Sequence, residues 1–249
     1  MSHGEAHVLG VTPERPLAIV GAMVEETEPL LAAAVDAVAE RVGPFAFHRA
    51  RLDGAPVLLA TCGIGKVQAA ALTQALLDRG AAAVLFTGVA GGVDPTLRVG
   101  DLVVASDALQ HDVDVTALGY ALGQVPGHDA VRWVADADLR DRVEAAARAV
   151  ATVEGVRVVV GTVASGDRFI ADPEDVAHLR EAFGAACAEM EGAAVAQVCA
   201  AWGVPWAIVR SISDTADHGA QVDFRAFTTV AAARAVAVVR GVLAGAQGR

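Results

Sequence analysis

Six short apolar runs, at 17–23, 56–62, 82–92, 101–109, 157–166 and 206–214, recur along the chain, separated mostly by longer Ala/Leu/Glu/Arg segments with helical spacing. Runs of that length read as buried strands, and the segments between them, at about 25–41, 66–79, 138–151, 173–183 and 190–202, read as helices. A last helix is predicted from about 223. Alternating strands and helices favour a parallel or mixed sheet covered on both faces. The expected fold is therefore α/β: a single domain over 17–249 with a central mixed, largely parallel β-sheet flanked by helices on both faces. A polar N-terminal arm, 1–16, precedes it, with Pro13 and Pro16 framing Glu14 and Arg15. No repeat, low-complexity block or linker divides the chain.

Composition narrows the function. Hydrophobic residues make up 54% and charged residues 20% of 249, so the chain can bury a large core. Aromatics are only 4%, which leaves Ala, Val, Leu and Ile to build that core and suits helix-on-sheet packing better than a sandwich or barrel. The net charge of −11, with no basic run, argues against nucleic-acid binding. Cys62, Cys187 and Cys199 form no CxxC pair, and their odd number argues against a disulfide framework. No apolar stretch has the length of a membrane span, and the N-terminus lacks the pattern of a secretory signal. A soluble, cytoplasmic protein is expected.

The ends of the apolar runs are the informative places. GAMVEE, CGIGK, TGVAGG, ASGD and SISD all put small or acidic residues where a strand gives way to a loop. In open α/β sheets that edge is where ligands bind, so unconnected segments can serve one crevice.

The common motifs fail individually. GIGKV (63–67) has a Gly-Lys pair, but Ala60 replaces the first glycine of a phosphate-binding loop and Val67 the magnesium-holding hydroxyl. TGVAGG (87–92) lacks dinucleotide spacing, although its glycines let backbone N–H groups approach a ligand. The seven histidines show no paired ligand spacing, so no metal site is expected, and GxSxG is absent.

Four segments taken together are more specific. GAMVEE (21–26), CGIGKVQAA (62–70), AEMEGAA (188–194) and VRSISDTAD (209–217) resemble the purine nucleoside phosphorylase superfamily. Within it they are most similar to the 5′-methylthioadenosine/S-adenosylhomocysteine nucleosidase family. TGVAGGVDPTLRVGD, HDVDVTALGYALGQVPG and VASGDRFI match in order as well, so the resemblance spans roughly 17–245.

Breaking an N-glycosidic bond to a purine needs an acid for the departing base and stabilisation of an oxocarbenium-like sugar; hydrolysis adds a base for water. The resemblance implies Asp214 as the acid that protonates purine N7, and burial at a strand end would help a carboxyl keep its proton. Alone, Asp214 reads equally well as a helix N-cap. Glu26 matches the water-activating base, while Glu25 and Glu28 are explained as acids at a helix N-terminus. Glu191 would bind the ribose hydroxyls with Met190 packed on the sugar, and Glu189 reads as a structural cap. Arg210 resembles a residue that holds Glu26 or the water, with a core ion pair as the plainer reading.

The resemblance further implies Phe169 and Ile170 against the adenine, Ala90, Gly91 and Ser213 in the substrate site, and Met23, Ile64 and Phe224 around a 5′-alkylthio group. Val115, Tyr120 and Pro126 fall in a segment that reaches the neighbouring subunit's site, which implies a homodimer. No cofactor and no metal are implied.

Hydrolysis is favoured over phosphorolysis. Glu25 and Glu26 stand where phosphorylases of the superfamily place an arginine, and Phe86 and Val89 stand near the glycine turn where they place an arginine and a hydroxyl. Acids there repel phosphate. Val89 also departs from the hydroxyl residue usual in the nucleosidases, which leaves Thr87, Arg210 or backbone groups to position water. Two rival readings stand: a nucleosidase for another 5′-substituted nucleoside, such as aminodeoxyfutalosine or futalosine, and a purine-nucleoside binding protein without chemistry.

Overall fold

The computed structural model describes residues 11–214 and 220–244, without the side chains of 220–226 and 228. Among the described residues the order is β1 (Leu17–Gly21), α1 (Val24–Ala33), β2 (Val35–Val42), β3 (Phe45–Leu52), β4 (Ala55–Thr61), α2 (Lys66–Asp78), β5 (Ala83–Gly92) and β6 (Leu102–Gln110). It continues with β7 (Trp133–Val134), α3 (Ala137–Glu154), β8 (Val158–Ser165), α4 (Pro173–Phe183), β9 (Ala185–Glu189), α5 (Gly192–Trp202), β10 (Trp206–Asp214) and α6 (Ala220–Ala244). All six apolar runs are strands, with ends within about two residues of the sequence reading.

The alternation of side chains along the central strands divides the core. On β1, Ala18 and Val20 face one side with Leu72 and Leu76 of α2 and Ala193 to Ala196 of α5. Leu17 and Ile19 face the other with Leu30 of α1, Val143 of α3 and Val239 of α6. β5 repeats the pattern, with Val84 and Phe86 on the first side and Ala83 and Leu85 on the second. Strands buried on both faces read as continuous apolar runs. That is why these were legible.

The sheet is mixed. β1 pairs in parallel with β4 and β5, and β5 with β10, while β10 meets β6 antiparallel. β8 then joins β6 to β9 in parallel, and β9 returns to β5 antiparallel at Gly91 and Gly92. The five strands β5, β10, β6, β8 and β9 thus close a ring, a barrel-like feature that the low aromatic content did not suggest.

One helix differs from expectation. The helix read over 25–41 stops at Ala33, and the chain from Val35 forms β2, which pairs antiparallel with β3 through a two-residue turn at Gly43 and Pro44. β2 is exposed along most of its length, so no burial period marks it, and pairing overrides the helix propensity of its alanines. β9 also lies outside the six runs, because a five-residue alanine-rich strand carries little signal.

No helix among the described residues is long and apolar enough to cross a membrane. All three cysteines are buried and unbridged, and burial raises their thiol pKa values.

Candidate active site

The ends of six strands, β1, β4, β5, β8, β9 and β10, meet at one cleft. It is lined by Glu26, Glu191 and Asp214, by Arg210 and Ser213, and by Met23, Ile64, Ala90, Gly91, Phe169, Ile170 and Met190. These are the sequence-derived site residues except Phe224, whose side chain lies outside the described residues. Val115, Tyr120 and Pro126 do not line it.

Glu26 is 2% exposed in the first turn of α1, whereas Glu25 beside it and Glu28 in the next turn are exposed. Its Oε2 accepts the backbone N–H groups of Ala22 at 2.8 Å and Met23 at 3.0 Å, and its Oε1 accepts that of Val89 at 3.0 Å. A glutamate three residues after the N-cap reaches back to the free amides of the helix start, as in half of a capping box. Burial raises the Glu26 pKa, and the Arg210 charge and these amides offset that only in part. The Val89 contact uses the main chain, so the missing hydroxyl there does not alter it.

Gly88 is required beside this carboxylate. Its φ is +151°, and a Cβ there would lie 2.4 Å from Glu26 Oε1 and 2.5 Å from Arg210 Nη1. The TGVAGG turn therefore brings backbone against Glu26, as its glycines suggested.

Glu189 and Glu191 divide two tasks. Glu189, at the end of β9, accepts the N–H groups of Glu191 and Gly192 at the start of α5, the Ser165 hydroxyl, and the Arg210 guanidinium. It is the cap of that helix. Glu191 turns into the cleft, where its Oε1 accepts the Gly65 N–H at 2.8 Å and its Oε2 lies 3.8 Å from Arg210 Nη2. Burial, then repulsion from Glu189, raises the Glu191 pKa to about 7.

Arg210 is 1% exposed on β10, with its guanidinium 4.3 Å from the centre of the Phe86 ring. Its ion-pair partners among the described residues are Glu189 and Glu191. Two consecutive residues farther along β10, Ser213 and Asp214, both line the cleft because the pairing with β5 slips between Ile212 and Asp214. Asp214 is 1% exposed and accepts the Ser213 hydroxyl at 2.7 Å.

Phe169 and Ile170 lie in the loop after β8, with Phe169 46% exposed over the cleft and Ile170 buried. Arg168 also lines the cleft, a position the sequence reading passed over, and it is paired with Asp175 at 2.7 Å. The cleft thus holds four carboxylates, counting Glu189, and two arginines already paired to acids. It suits a neutral, hydroxylated ligand better than a phosphate dianion.

A family model described as the phosphorylase superfamily matches residues 16–244. A protein of Geobacillus thermodenitrificans named 5′-methylthioadenosine/S-adenosylhomocysteine nucleosidase is 45% identical over 228 residues, 91% of this chain and 95% of its own. The chain belongs to that nucleosidase family of the phosphorylase superfamily. Among solved structures, the Neisseria meningitidis member of the family, in complex with methylthio-immucillin-A, superposes with a TM-score of 0.87 at 39% identity, covering 93% of this chain and 99% of the other. A futalosine hydrolase mutant of Helicobacter pylori superposes with a TM-score of 0.85 at 34% identity over 93% and 99%. The nucleosidase family thus accounts for the four ordered segments and for the carboxylate-lined cleft together.

Proposed function

We propose that this protein hydrolyses the N-glycosidic bond of 5′-methylthioadenosine and S-adenosylhomocysteine, releasing adenine and the 5′-thioribose product. The observation that carries the reading is the convergence of Glu26, Glu191 and Asp214, from three separate strand ends, on one cleft beside Phe169 and Ile170.

Each group has a task that its surroundings support. Phe169 offers a ring face to the purine. Glu191 receives the 2′- and 3′-hydroxyls, and Met190 covers the sugar. As the C1′–N9 bond lengthens, Asp214 gives its proton to N7, so the base leaves neutral. Glu26 takes a proton from water as the water oxygen bonds to C1′. The raised pKa of Glu26 makes it a stronger base than a solvated glutamate. Arg210 acts through Glu189 and Glu191 and balances part of the acidic charge around the sugar.

Met23 and Ile64 line the cleft and fit the role of the 5′ pocket, for which the resemblance also implies Phe224. Val115, Tyr120 and Pro126 lie in the partly exposed segment between β6 and β7 and fit the role of closing the neighbouring subunit's site in a homodimer. Light scattering at working concentration tests this, with a monomer as the failing outcome. A cytoplasmic location accords with three unbridged thiols.

The deciding experiment incubates the purified chain with methylthioadenosine, S-adenosylhomocysteine, inosine and a futalosine-type nucleoside, with and without phosphate. Free adenine and a reducing sugar from the first two, at a rate indifferent to phosphate, are expected. A sugar 1-phosphate would make the enzyme a phosphorylase; preference for the futalosine-type nucleoside would move the substrate; intact nucleoside throughout would leave a binding protein.

A further inference from the structure

The lysine of GIGK, idle as a phosphate ligand, has a defined place in the structure. Lys66 opens α2, and its ammonium donates to Asp112 Oδ1 at 2.6 Å and Gln110 Oε1 at 2.9 Å, just after and at the end of β6. Its backbone N–H donates to Asp167 Oδ1 at 2.9 Å, in the loop after β8. The circuit closes where Asp167 donates its own N–H to Asp112 Oδ2 at 2.9 Å. The Lys66 side chain is 16% exposed and that of Asp112 22%, so the pair is shielded more than an ordinary surface bridge.

The circuit touches the site at both ends. The residue before Lys66 is Gly65, whose N–H holds Glu191 Oε1, and Phe169 lies two residues beyond Asp167. Gly65 has φ of +103°, and a Cβ there would lie 3.2 Å from Asp167 Oδ1, so the turn and the loop are in close contact. The segment between Gly166 and Asp172 has no helix or strand to hold it. Its order must come from bonds of this kind. Lys66, Asp112 and Asp167 do not themselves line the cleft.

We propose that Lys66 is a positioning residue which, through Asp112 and Asp167, fixes the spacing between the ribose-binding carboxylate Glu191 and the purine loop at Phe169 and Ile170. This rests on the nucleosidase reading of the cleft. Glu26 and Asp214 are anchored elsewhere, by the amides of Ala22, Met23 and Val89 and by Ser213. Loosening the circuit therefore affects how the nucleoside is held more than the groups that break its bond.

The test compares Lys66→Met, which keeps the aliphatic stem, with Lys66→Arg, Asp112→Asn and the double variant Lys66→Met/Asp112→Asn in the full chain. Steady-state kinetics use methylthioadenosine, and calorimetry measures the affinity for adenine. Lys66→Met and Asp112→Asn should each raise KM and the adenine Kd about tenfold, with kcat within about threefold, since small misplacements cost orientation. The double variant should be no worse than either single one, because both break the same circuit, and Lys66→Arg should recover part of the loss. Unchanged KM and adenine Kd in both single variants, or additive losses in the double one, would overturn the proposal. Should Lys66→Met fail to fold, Asp112→Asn decides alone. A parent protein that released no adenine would sink the nucleosidase reading, while the adenine titration would still judge the circuit.

Discussion

Arg210 is ion-paired with Glu189 at the end of β9, while Glu26, against the same Gly88, is held by main-chain amides. The resemblance had suggested Arg210 as a support for Glu26 or for water. Its ion pair with Glu189 is the core pairing of the plainer alternative, and its charge also favours the ionised form of Glu26. Glu189 is fully committed, taking two helix amides, a hydroxyl and a guanidinium in a place with little access to water.

Removing one partner of such a pair strands the other. Arg210→Met should lower unfolding free energy by about 3–5 kcal/mol, read from urea or guanidinium titration, because Glu189 is left charged and buried. Adding Glu189→Gln should return a large share of that loss, since the amide oxygen can still cap α5. A single variant as stable as the parent would show that the pair carries no such burden. Arg210→Lys should be poorly tolerated, because an ammonium cannot reproduce the fork.

Glu26→Gln should lower kcat by about 10²–10⁴ with the fold unchanged. The amide oxygen still accepts an N–H group, but no proton can be taken from water. A base works in its ionised form, and burial raises the pKa of Glu26. In the parent, kcat should therefore fall as pH drops through a value above the ordinary glutamate range. Stopped assays between about pH 3 and 8.5 check this (~4.3 being a solvated glutamate), and a limb at the ordinary value would remove Glu26 as the base.

Asp214→Asn should lower turnover of methylthioadenosine by about 10²–10⁴, with KM little changed. The Ser213 hydroxyl can donate to the amide oxygen as it does to the carboxylate, so packing is kept. A 4-nitrophenyl 5-methylthioriboside gives the sharper result. Its leaving group departs as a stable anion and needs no acid, so parent and Asp214→Asn should cleave it within about tenfold of each other. Equal impairment on both substrates would assign Asp214 a role other than proton donor.

Much of the fold and cleft was legible in the sequence for one reason: buried two-sided strands leave apolar runs, and functional groups stand where such runs stop. Gly92 and Asp214 end strands in both the sequence reading and the structure. Where neither face is buried, as in β2, no pattern forms. The closure of the ring between β9 and β5 was hidden because it rests on just Gly91 and Gly92 pairing with Ala188 and Cys187. Side-chain partnerships were the least visible. AEMEG names two glutamates, but only the geometry assigns Glu189 to Arg210 and Glu191 to Gly65.

Glu191 should trade stability for binding. Burial and the neighbouring Glu189 raise its pKa from 4.5 to about 7 in the folded chain. A carboxyl whose folded pKa lies above its unfolded value contributes stability that is complete below pH 4.5 and is lost as pH rises through about 7. At pH 8 the ionised group is therefore a burden on the unliganded protein. Glu191→Gln keeps an oxygen for the Gly65 N–H and carries no charge, so its Tm at pH 8 should exceed that of the parent by about 2–4 °C for each kcal/mol relieved. At pH 5, where the parent carboxyl is largely protonated, the advantage should vanish. The same substitution should raise KM for methylthioadenosine at least about tenfold, because hydrogen bonds to a charged acceptor are the stronger ones. Thermal melts at both pH values and steady-state kinetics check the two halves, and a Glu191→Gln protein less stable than the parent at pH 8 would contradict the repulsion from Glu189.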